Sequence, residues 1–285
     1  MVFSKNKKKR KIDSKEVGLE IGLLAFNFIL KLEHLHYGYF RDGLKANISN
    51  LKKAQENYAD MLFSHIPEGT RTILDVGCGS GKIAQQLILK GYEVDCVSPN
   101  QRLTNFAKKM TEDKVQFYQC KFEDLKISKK YDLILFSESF QYVPMDKSIP
   151  VALQMLNPGG YIMVSDFFRN DIERKSKLGG GHRYDKWLIC KESFPVKTIV
   201  EKDITAETAP TIDILNQFNL EVLKPSWDSL WELGEDRFPL IIKISRRLYR
   251  KKIAKMEQKH FTGQRTGENF KKYKKYMFYL FQAEN

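Results

Sequence analysis

A glycine-rich turn next to an acidic residue is the part of this sequence best suited to chemistry. Asp75 lies in a short apolar run, Thr72–Val76, and three glycines follow at alternate positions: Gly77, Gly79 and Gly81. Glycines permit a tight turn and a close approach of the backbone to a ligand. The spacing differs from the GxGxxG pattern of dinucleotide-binding turns, and the Asp75 carboxylate would repel a pyrophosphate. It favours a ligand with positive charge, such as an α-amino group and a sulfonium.

The turn lies within an alternation of predicted strands and helices. Apolar runs bounded by turn residues predict strands at Thr72–Val76, Tyr92–Val97, Val115–Gln119, Tyr131–Ser137, Tyr161–Phe168, Thr198–Val200 and Lys272–Phe281. Helical spacing predicts helices at Ile83–Leu89, Asn100–Met110, Asp146–Leu156, Thr211–Phe218 and around Leu240–Lys259. This alternation indicates an α/β fold with right-handed βαβ units and a mostly parallel central sheet. Such sheets bind ligands at the carboxyl ends of their strands.

The chain is predicted to divide into three parts. Residues 1–16 form a basic N-terminal segment, residues 17–70 a helical lid, and residues 71–285 the main domain, with a substrate cap around 170–270. The lid is predicted to begin with an amphipathic helix at Val17–Leu32. This stretch is not typical of a signal peptide, because Glu20, Asn27 and Lys31 interrupt it. It is also shorter than the roughly 20 residues that a membrane span needs.

Several stretches together resemble one known superfamily. The segment ILDVGCGSG at Ile73–Gly81 resembles motif I of the class I S-adenosylmethionine-dependent methyltransferases. Other stretches resemble its small-molecule and lipid types, namely the γ-tocopherol, coclaurine, sarcosine and phosphoethanolamine methyltransferases and the cyclopropane-fatty-acid synthases. These stretches are HYGYF (His36–Phe40), VSPNQ (Val97–Gln101), SESFQYVPMDK (Ser137–Lys147) and EKDITAETAP (Glu201–Pro210). The resemblance implies a Rossmann-like fold with helices on both faces of the sheet, extra N-terminal helices, a C-terminal helical cap, and S-adenosylmethionine as cofactor.

The resemblance also implies a set of cofactor contacts, at Tyr37, Asp75, Gly77, Cys78, Gly79, Gly81, Ser98, Asn100, Gln101, Phe122, Glu123 and Ser137. Three positions depart from the family pattern. The acidic residue that usually ends the second strand and holds the ribose is absent unless Asp95 serves, and otherwise Ser98 or Asn100 replaces it. Lys121 stands where the family has an Asp beside the adenine. Gln141-Tyr142 stands where the family has Glu-His.

Methyl transfer from a sulfonium needs alignment and exclusion of water, and a general base if the acceptor is a hydroxyl or an ammonium. The candidate catalytic residues are Glu138, His182 and Tyr39. Glu138 either acts on the acceptor or caps the next helix. His182 follows three glycines and is either a base or a solvated loop residue. Tyr39 and Tyr37 either close over the sulfonium with their ring faces or belong to a packed aromatic turn. No metal-ligand spacing is present.

The positive charge lies at the two ends of the chain. The net charge is +13, of which residues 1–16 contribute +5 and residues 237–285 contribute +11, so the region between carries about −3. The basic helix around Leu240–Lys259 either packs by its apolar face on the domain, or binds an anionic membrane, an acidic acceptor or RNA. The four cysteines show no paired spacing and indicate buried thiols in a reducing cytoplasm.

These features predict a cytoplasmic S-adenosylmethionine-dependent methyltransferase that acts on a small-molecule or lipid-like acceptor, with peripheral contact to an anionic membrane left open. Two other functions also stay open. An RNA methyltransferase is supported by the basic ends alone, since no NPPY-like element follows the fourth strand and no RNA-binding domain is appended, so nucleic acid is disfavoured. A cofactor-binding protein without catalysis is suggested by the altered ribose and adenine positions.

Overall fold

The computed structural model describes residues 32–170 and 178–284. The basic segment 1–16 lies outside these residues. So does the amphipathic helix predicted at Val17–Leu32, apart from Leu32 itself, and a short part of the predicted cap at 171–177. Within the described ranges, no helix combines the length and the apolar character that a membrane crossing requires.

Seven strands form one sheet in the order β3-β2-β1-β4-β5-β7-β6. They are β1 (Thr72–Val76), β2 (Glu93–Val97), β3 (Gln116–Tyr118), β4 (Tyr131–Ser137), β5 (Leu156–Arg169), β6 (Val196–Asp203) and β7 (Lys274–Ala283). The neighbours from β3 through β5 are parallel, whereas β7 is antiparallel to both β5 and β6. The predicted mostly parallel sheet is confirmed. Because the strand order reverses between β1 and β4, the loops after these two strands open a crevice at the carboxyl edge.

The helices connect these strands and extend beyond them. They are α1 (Leu51–Phe63), α2 (Lys82–Leu89), α3 (Gln101–Met110), α4 (Met145–Gln154), α5 (Tyr184–Lys191), α6 (Thr205–Thr208), α7 (Pro210–Phe218), α8 (Lys224–Arg237), α9 (Pro239–His260) and α10 (Gly267–Tyr273). Every helix predicted between the strands is present, with ends shifted by one or two residues. The helices α5, α6, α8 and α10 were not predicted.

Two apolar cores lie on opposite faces of the sheet. Successive side chains of a strand point to opposite faces, so neighbouring residues of β4 belong to different cores. Leu133 packs in the core that contains Tyr58 of α1, whereas Ile134 packs in the core that contains Trp187 of α5. All four side chains are fully buried. Helices therefore cover both faces, as the resemblance implied, and the ends of β1 and β4 are held by packing on both sides.

The described part of the predicted N-terminal lid is largely extended rather than helical. Residues 32–40, which we call the crossing segment, contain no helix and bond to the body of the domain. Tyr39 N–H donates to Ala54 O at 2.7 Å, and Phe40 N–H donates to Glu207 O at 2.9 Å. Gly38 permits this approach, because a Cβ there would lie 2.6 Å from the Ala54 Cβ. Within the described part of the predicted lid, α1 is helical and the crossing segment is not.

The helices α8 and α9 form a hairpin. Gly234 of α8 packs so closely on α9 that an added Cβ would lie 2.9 Å from Ile242 Cδ1. The Arg246 guanidinium lies 4.7 Å from the centre of the Trp231 ring and pairs with Glu235 at 2.8 Å. The outer face of α9 has apolar residues at Leu240, Ile241, Ile244 and Leu248, and each is more than half exposed. The predicted basic helix is confirmed, but its apolar residues do not pack on the domain.

Candidate functional site

The turn after β1 is built from three glycines with positive φ. The φ angles are 75° at Gly77, 54° at Gly79 and 82° at Gly81, a region that costs other residues conformational energy. Added Cβ atoms would meet very different surroundings. At Gly77 the Cβ would lie 2.5 Å from Ser139 Cβ, and at Gly81 it would lie 2.6 Å from the Ala107 Cα of α3. Gly77 and Gly81 are therefore required by packing as well as by the turn.

Gly79 differs from its two neighbours because its open side faces a pocket. The nearest atom to an added Cβ would be Leu35 Cδ1, at 3.5 Å. The pocket and the open solvent at its mouth together make up about 720 Å³ of empty space. Its wall consists of His34, Leu35, His36, Asp75, Gly77, Cys78, Gly79, Ser80, Lys82, Ile83, Leu103, Ser137, Glu138 and Tyr142. It thus opens between the loops after β1 and β4, where the sheet topology places a ligand.

The crossing segment forms one wall of this pocket and is attached at both of its ends. On the side of the glycine turn, the Ser80 hydroxyl donates to Glu33 O, and Lys82 Nζ lies 2.7 Å from Glu33 Oε2. On the side of β4, Tyr37 N–H donates to Glu138 Oε1 at 2.6 Å. These contacts join three separate parts of the chain around the pocket, so its shape depends on the crossing segment.

Asp75 places a buried carboxylate at the base of the pocket. The residue is 2% exposed, and its Oδ2 has no hydrogen-bond partner among the described residues. Burial raises the pKa of the Asp75 carboxyl to about 7, because the charged form is poorly solvated there. A buried acceptor without a partner is costly, and a cationic donor bound in the pocket would relieve that cost.

Glu138 places a second carboxylate at the end of β4. Its backbone has φ of 54°, which is strained for a residue other than glycine, and such strain is concentrated at functional sites. Tyr37 N–H and the Tyr276 hydroxyl both donate to Glu138 Oε1, the latter at 2.7 Å. Burial raises the pKa of Glu138 to about 8, against the lowering effect of these two hydrogen bonds. The carboxylate is thus oriented by two donors while it lines the pocket.

Six predicted site residues meet in the wall of this pocket, namely Asp75, Gly77, Cys78, Gly79, Ser137 and Glu138. The predicted contacts on the second and third strands lie outside it. Asn100 Oδ1 accepts from Arg102 N–H and Leu103 N–H and so caps α3, and Gln101 bonds to Asn105 on the surface. Phe122 is buried against Phe136. Ser98, Glu123 and Gly81 are likewise not in the wall, and their cofactor contacts stay predictions.

Asp95 is not available as a replacement for the missing ribose-binding acid. Its Oδ2 accepts from Lys129 Nζ at 2.8 Å and from the Tyr131 hydroxyl at 2.8 Å. Both partners come from the segment that leads into β4. The carboxylate is therefore committed to joining β2 and β4 within the sheet, which leaves Ser98 and Asn100 as the polar groups after β2.

The predicted tyrosines and His182 are not part of the pocket wall formed by the described residues. The Tyr37 ring packs against Phe167 and Tyr276, with centroids 5.9 Å from each, so only its backbone reaches Glu138. Tyr39 is partly buried against the core near α1. His182 Nε2 lies 2.9 Å from Val143 O and 3.1 Å from Phe140 O, which fixes the glycine-rich loop onto the turn after β4. His182 is therefore neither a solvated loop residue nor placed as a base.

Gln141 accounts for one departure from the family pattern. Its amide nitrogen donates to Asp166 Oδ1 at 3.0 Å, and its Oε1 accepts from Gly181 N–H at 3.1 Å. An amide can donate and accept at once, whereas a glutamate here would face the Asp166 carboxylate. Gln141 thus joins the loop after β4 to the loop after β5.

Comparisons with known proteins find similarity to methyltransferases. A family model described as a methyltransferase domain matches residues 73–160. Ubiquinone biosynthesis O-methyltransferase of Rickettsia prowazekii is 26% identical over 191 residues, which cover 61% of this chain and 68% of that protein. Malonyl-acyl-carrier-protein O-methyltransferase of Priestia megaterium is 29% identical over 159 residues, 48% of this chain and 58% of that protein. Residues 73–160 thus form a methyltransferase domain, and the relatives support a class I S-adenosylmethionine-dependent methyltransferase.

Solved structures of similar fold place this methyltransferase among enzymes of varied chemistry. Geranyl diphosphate C-methyltransferase from Streptomyces coelicolor A3(2) matches with a TM-score of 0.65 at 16% identity, over 95% of this chain and 98% of that one. The cyclase SpnF matches with a TM-score of 0.65 at 16% identity, over 94% of each chain. Since a cyclase shares the fold, the fold of this methyltransferase does not determine its acceptor.

Residues of the site that the sequence did not predict come from distant parts of the chain. His34 and Leu35 line the pocket, and Tyr276 of β7 orients Glu138. The Tyr276 hydroxyl also lies 3.1 Å from that of Tyr58, which donates to Ser165 Oγ at 2.8 Å. The only sequence signal for Tyr276 was the aromatic run predicted as the last strand, and nothing in that run distinguished it from core residues.

Replacing Gly81 by alanine is expected to lower the free energy of unfolding by about 3 kcal/mol, from overpacking together with a left-handed backbone. The matched control is Gly91→Ala. Gly91 has φ of 92° but no atom within 4 Å of an added Cβ, so its loss should be about 1 kcal/mol. Chemical denaturation of both variants measures the difference. Equal losses would contradict the close packing of the turn on α3.

Proposed function

We propose that this methyltransferase transfers the methyl group of S-adenosylmethionine to a hydroxyl of an uncharged, lipid-like small molecule. The observation that supports this most is the meeting of two carboxylates, the buried Asp75 and the partly buried Glu138, in one pocket beside the glycine turn. One carboxylate suits the cationic cofactor, and the other suits removal of a proton from the acceptor. Cofactor binding and proton removal require two separate carboxylates, and these are supplied by β1 and by the end of β4.

The cofactor's amino-acid end is proposed to lie at the glycine turn. The open side of Gly79 gives the backbone room for a ligand, and the Asp75 Oδ2 without a partner suits an ammonium donor. The residues present therefore fit the cofactor at this end. The ribose and adenine are proposed to extend toward Ser98, Asn100, Gln101, Phe122 and Glu123, after β2 and β3, where the loops lie next in the sheet.

When bound, the cofactor supplies a methyl group activated by a positively charged sulfur. Glu138 is proposed to accept the proton of the acceptor hydroxyl while the oxygen–carbon bond forms and the carbon–sulfur bond breaks, with the electron pair left on sulfur. Its raised pKa makes it a stronger base than an ordinary carboxylate. Tyr37 N–H and the Tyr276 hydroxyl hold Oε1, so the group needs little reorganisation during the reaction.

An uncharged acceptor is favoured over an anionic one by the charge of the pocket. Two carboxylates line it, and its histidines are neutral, because burial lowers the pKa of His34 to about 2 and that of His36 to about 4. A carboxylate acceptor would be repelled by these two carboxylates, and its methylation would need no general base. The name of the Rickettsia relative, which refers to ubiquinone and O-methylation, agrees with an apolar molecule that bears a hydroxyl. Phosphate-rich RNA is disfavoured on the same electrostatic ground.

Glu138→Gln is expected to lower kcat for a hydroxyl acceptor by a factor of about 10²–10⁴, since the base is lost while the shape is kept. Release of S-adenosylhomocysteine is measured with phenols and catechols that bear apolar tails, and with amines and carboxylates of similar size. Tyr276→Phe should give a smaller loss, because it removes one donor to the same carboxylate. Full turnover by Glu138→Gln would contradict the role of this residue, and preferential turnover of carboxylates would contradict the acceptor class.

The affinity for S-adenosylhomocysteine is expected to rise about tenfold between pH 6 and pH 8. Asp75 has a pKa raised to about 7, so it is mostly protonated at pH 6 and mostly charged at pH 8, and the ammonium of the ligand binds the charged form. Calorimetry across this range measures the slope. Lys82 and Glu138 face the same pocket, so Asp75→Asn is the control: it should weaken binding at pH 8 and reduce the slope. An unchanged slope in Asp75→Asn would contradict the assignment.

We further propose that the α8–α9 hairpin rests on an anionic membrane surface, which would give access to a lipid-like acceptor. The helix α9 contains eight Lys or Arg residues and one Glu. Its outer apolar residues recur at helical spacing, with Leu240 75% exposed and Leu248 73% exposed, and Phe238 and Leu233 extend the apolar patch. An apolar stripe with basic side chains on either side matches the interface of an anionic bilayer.

Changing Leu240 and Ile244 together to serine is expected to weaken sedimentation with vesicles of phosphatidylcholine and phosphatidylserine by at least about tenfold. Leu89→Ser removes an equally exposed leucine, 80% exposed on α2, and should have no effect. Wild-type protein should bind poorly to vesicles of phosphatidylcholine alone. If the double variant binds as wild type does, or if light scattering shows a dimer that this variant dissolves, the hairpin is not a membrane-binding surface.

A further inference from the structure

Two buried histidines of the crossing segment form a chain of hydrogen bonds that ends in the pocket. His36 Nδ1 lies 2.8 Å from Tyr37 O, and His36 Nε2 lies 2.9 Å from His34 Nδ1. The His36 ring also stacks on Tyr58, with the ring centroids 4.3 Å apart. Both histidines are 7% exposed and line the pocket. The catalytic scheme above gives neither of them a role.

The partners at one end of this chain determine where each proton lies. A carbonyl oxygen only accepts, so His36 Nδ1 must hold the proton that it donates to Tyr37 O. Burial keeps both rings neutral at physiological pH, and a neutral imidazole has a single N–H. His36 Nε2 is therefore an acceptor, and His34 Nδ1 must donate to it. The remaining nitrogen, His34 Nε2, then holds a lone pair and no proton.

His34 Nε2 is a buried acceptor that no described residue satisfies. It has no hydrogen-bond partner in the described chain, and the same is true of Asp75 Oδ2. Both residues line the same pocket beside the glycine turn. The nearby Lys82 ammonium is already bonded to Glu33 at 2.7 Å and to Gln85 at 2.9 Å. A ligand with several N–H groups could donate a hydrogen bond to each of these two acceptors in the pocket.

We propose that His34 is a cofactor-binding residue whose Nε2 accepts a hydrogen bond from the ammonium group of the cofactor's amino-acid end, together with Asp75. This inference rests on the proposed placement of the cofactor. An ammonium has three N–H donors at one atom, so it can bond to both acceptors at once. A neutral imidazole contributes an acceptor without adding a second negative charge. Because His34 Nε2 holds no proton, it cannot donate a hydrogen bond to a carboxylate or phosphate oxygen, which only accepts hydrogen bonds.

The proposal is tested by comparing two ligands on one variant. S-Adenosylhomocysteine has the ammonium, whereas 5′-methylthioadenosine lacks the amino-acid end. His34→Phe should weaken binding of the former by about tenfold or more, the value of a hydrogen bond to a charged group, and leave the latter unchanged within about twofold. His65→Phe is the matched control, since His65 bonds to Met61 O outside the pocket. Equal loss for both ligands, or no loss for S-adenosylhomocysteine, would overturn the proposal.

A second measurement, on the wild-type protein, does not depend on whether His34→Phe folds. Nitrogen-15 NMR of the imidazoles distinguishes a protonated nitrogen from one with a lone pair. His34 Nε2 should give the signal of an unprotonated nitrogen, and that signal should shift when S-adenosylhomocysteine binds but not with 5′-methylthioadenosine. A protonated Nε2 would overturn the proposal. The proposed placement of the cofactor has a separate test. It is wrong if Asp75→Asn leaves the affinity for S-adenosylhomocysteine unchanged.

Discussion

The constraint on which the rest of the site depends is the burial of the Asp75 carboxylate, whose Oδ2 has no hydrogen-bond partner among the described residues. Removing a carboxylate from water is costly unless a donor or a cation replaces the lost solvation, and the raised pKa of Asp75 expresses that cost. The residue occupies the end of β1 in the middle of a seven-stranded sheet. A ligand with positive charge is the simplest group that would satisfy it.

The surrounding structure serves to keep that carboxylate in a closed but accessible pocket. The glycine turn provides the opening, because Gly77 and Gly81 pack tightly against neighbours whereas an added Cβ at Gly79 would meet only Leu35, at 3.5 Å. The crossing segment provides the opposite wall and bonds to Ser80 and to Glu138. The two ends of the site are therefore coupled through one extended segment. Tyr37 bonds to Glu138 and lies three residues after His34. We therefore expect a change at Glu138 to alter the position of His34.

Local sequence patterns predicted the sheet and the turn well because both depend on neighbouring residues. The bounds of β1 and β4 match the apolar runs, and Asp75, Gly79 and Glu138 meet where the parallel strands end. The HYGYF stretch of the crossing segment was predicted either to close over the sulfonium or to form a packed aromatic turn, and backbone bonds to Ala54 and Glu207 hold it extended. Tyr276 could not be identified, because it lies 138 positions from Glu138 and only the antiparallel pairing of β7 with β5 joins them.

The central claim is that Asp75 loses its proton to meet a cation in this pocket. It is tested most directly by calorimetry of S-adenosylhomocysteine binding at pH 7, in two buffers that differ in their heat of ionisation. Since the pKa of Asp75 is raised to about 7, roughly half a proton should be released on binding, and Asp75→Asn should abolish most of that release. Binding with no release of protons, or the same release in Asp75→Asn, would contradict the account.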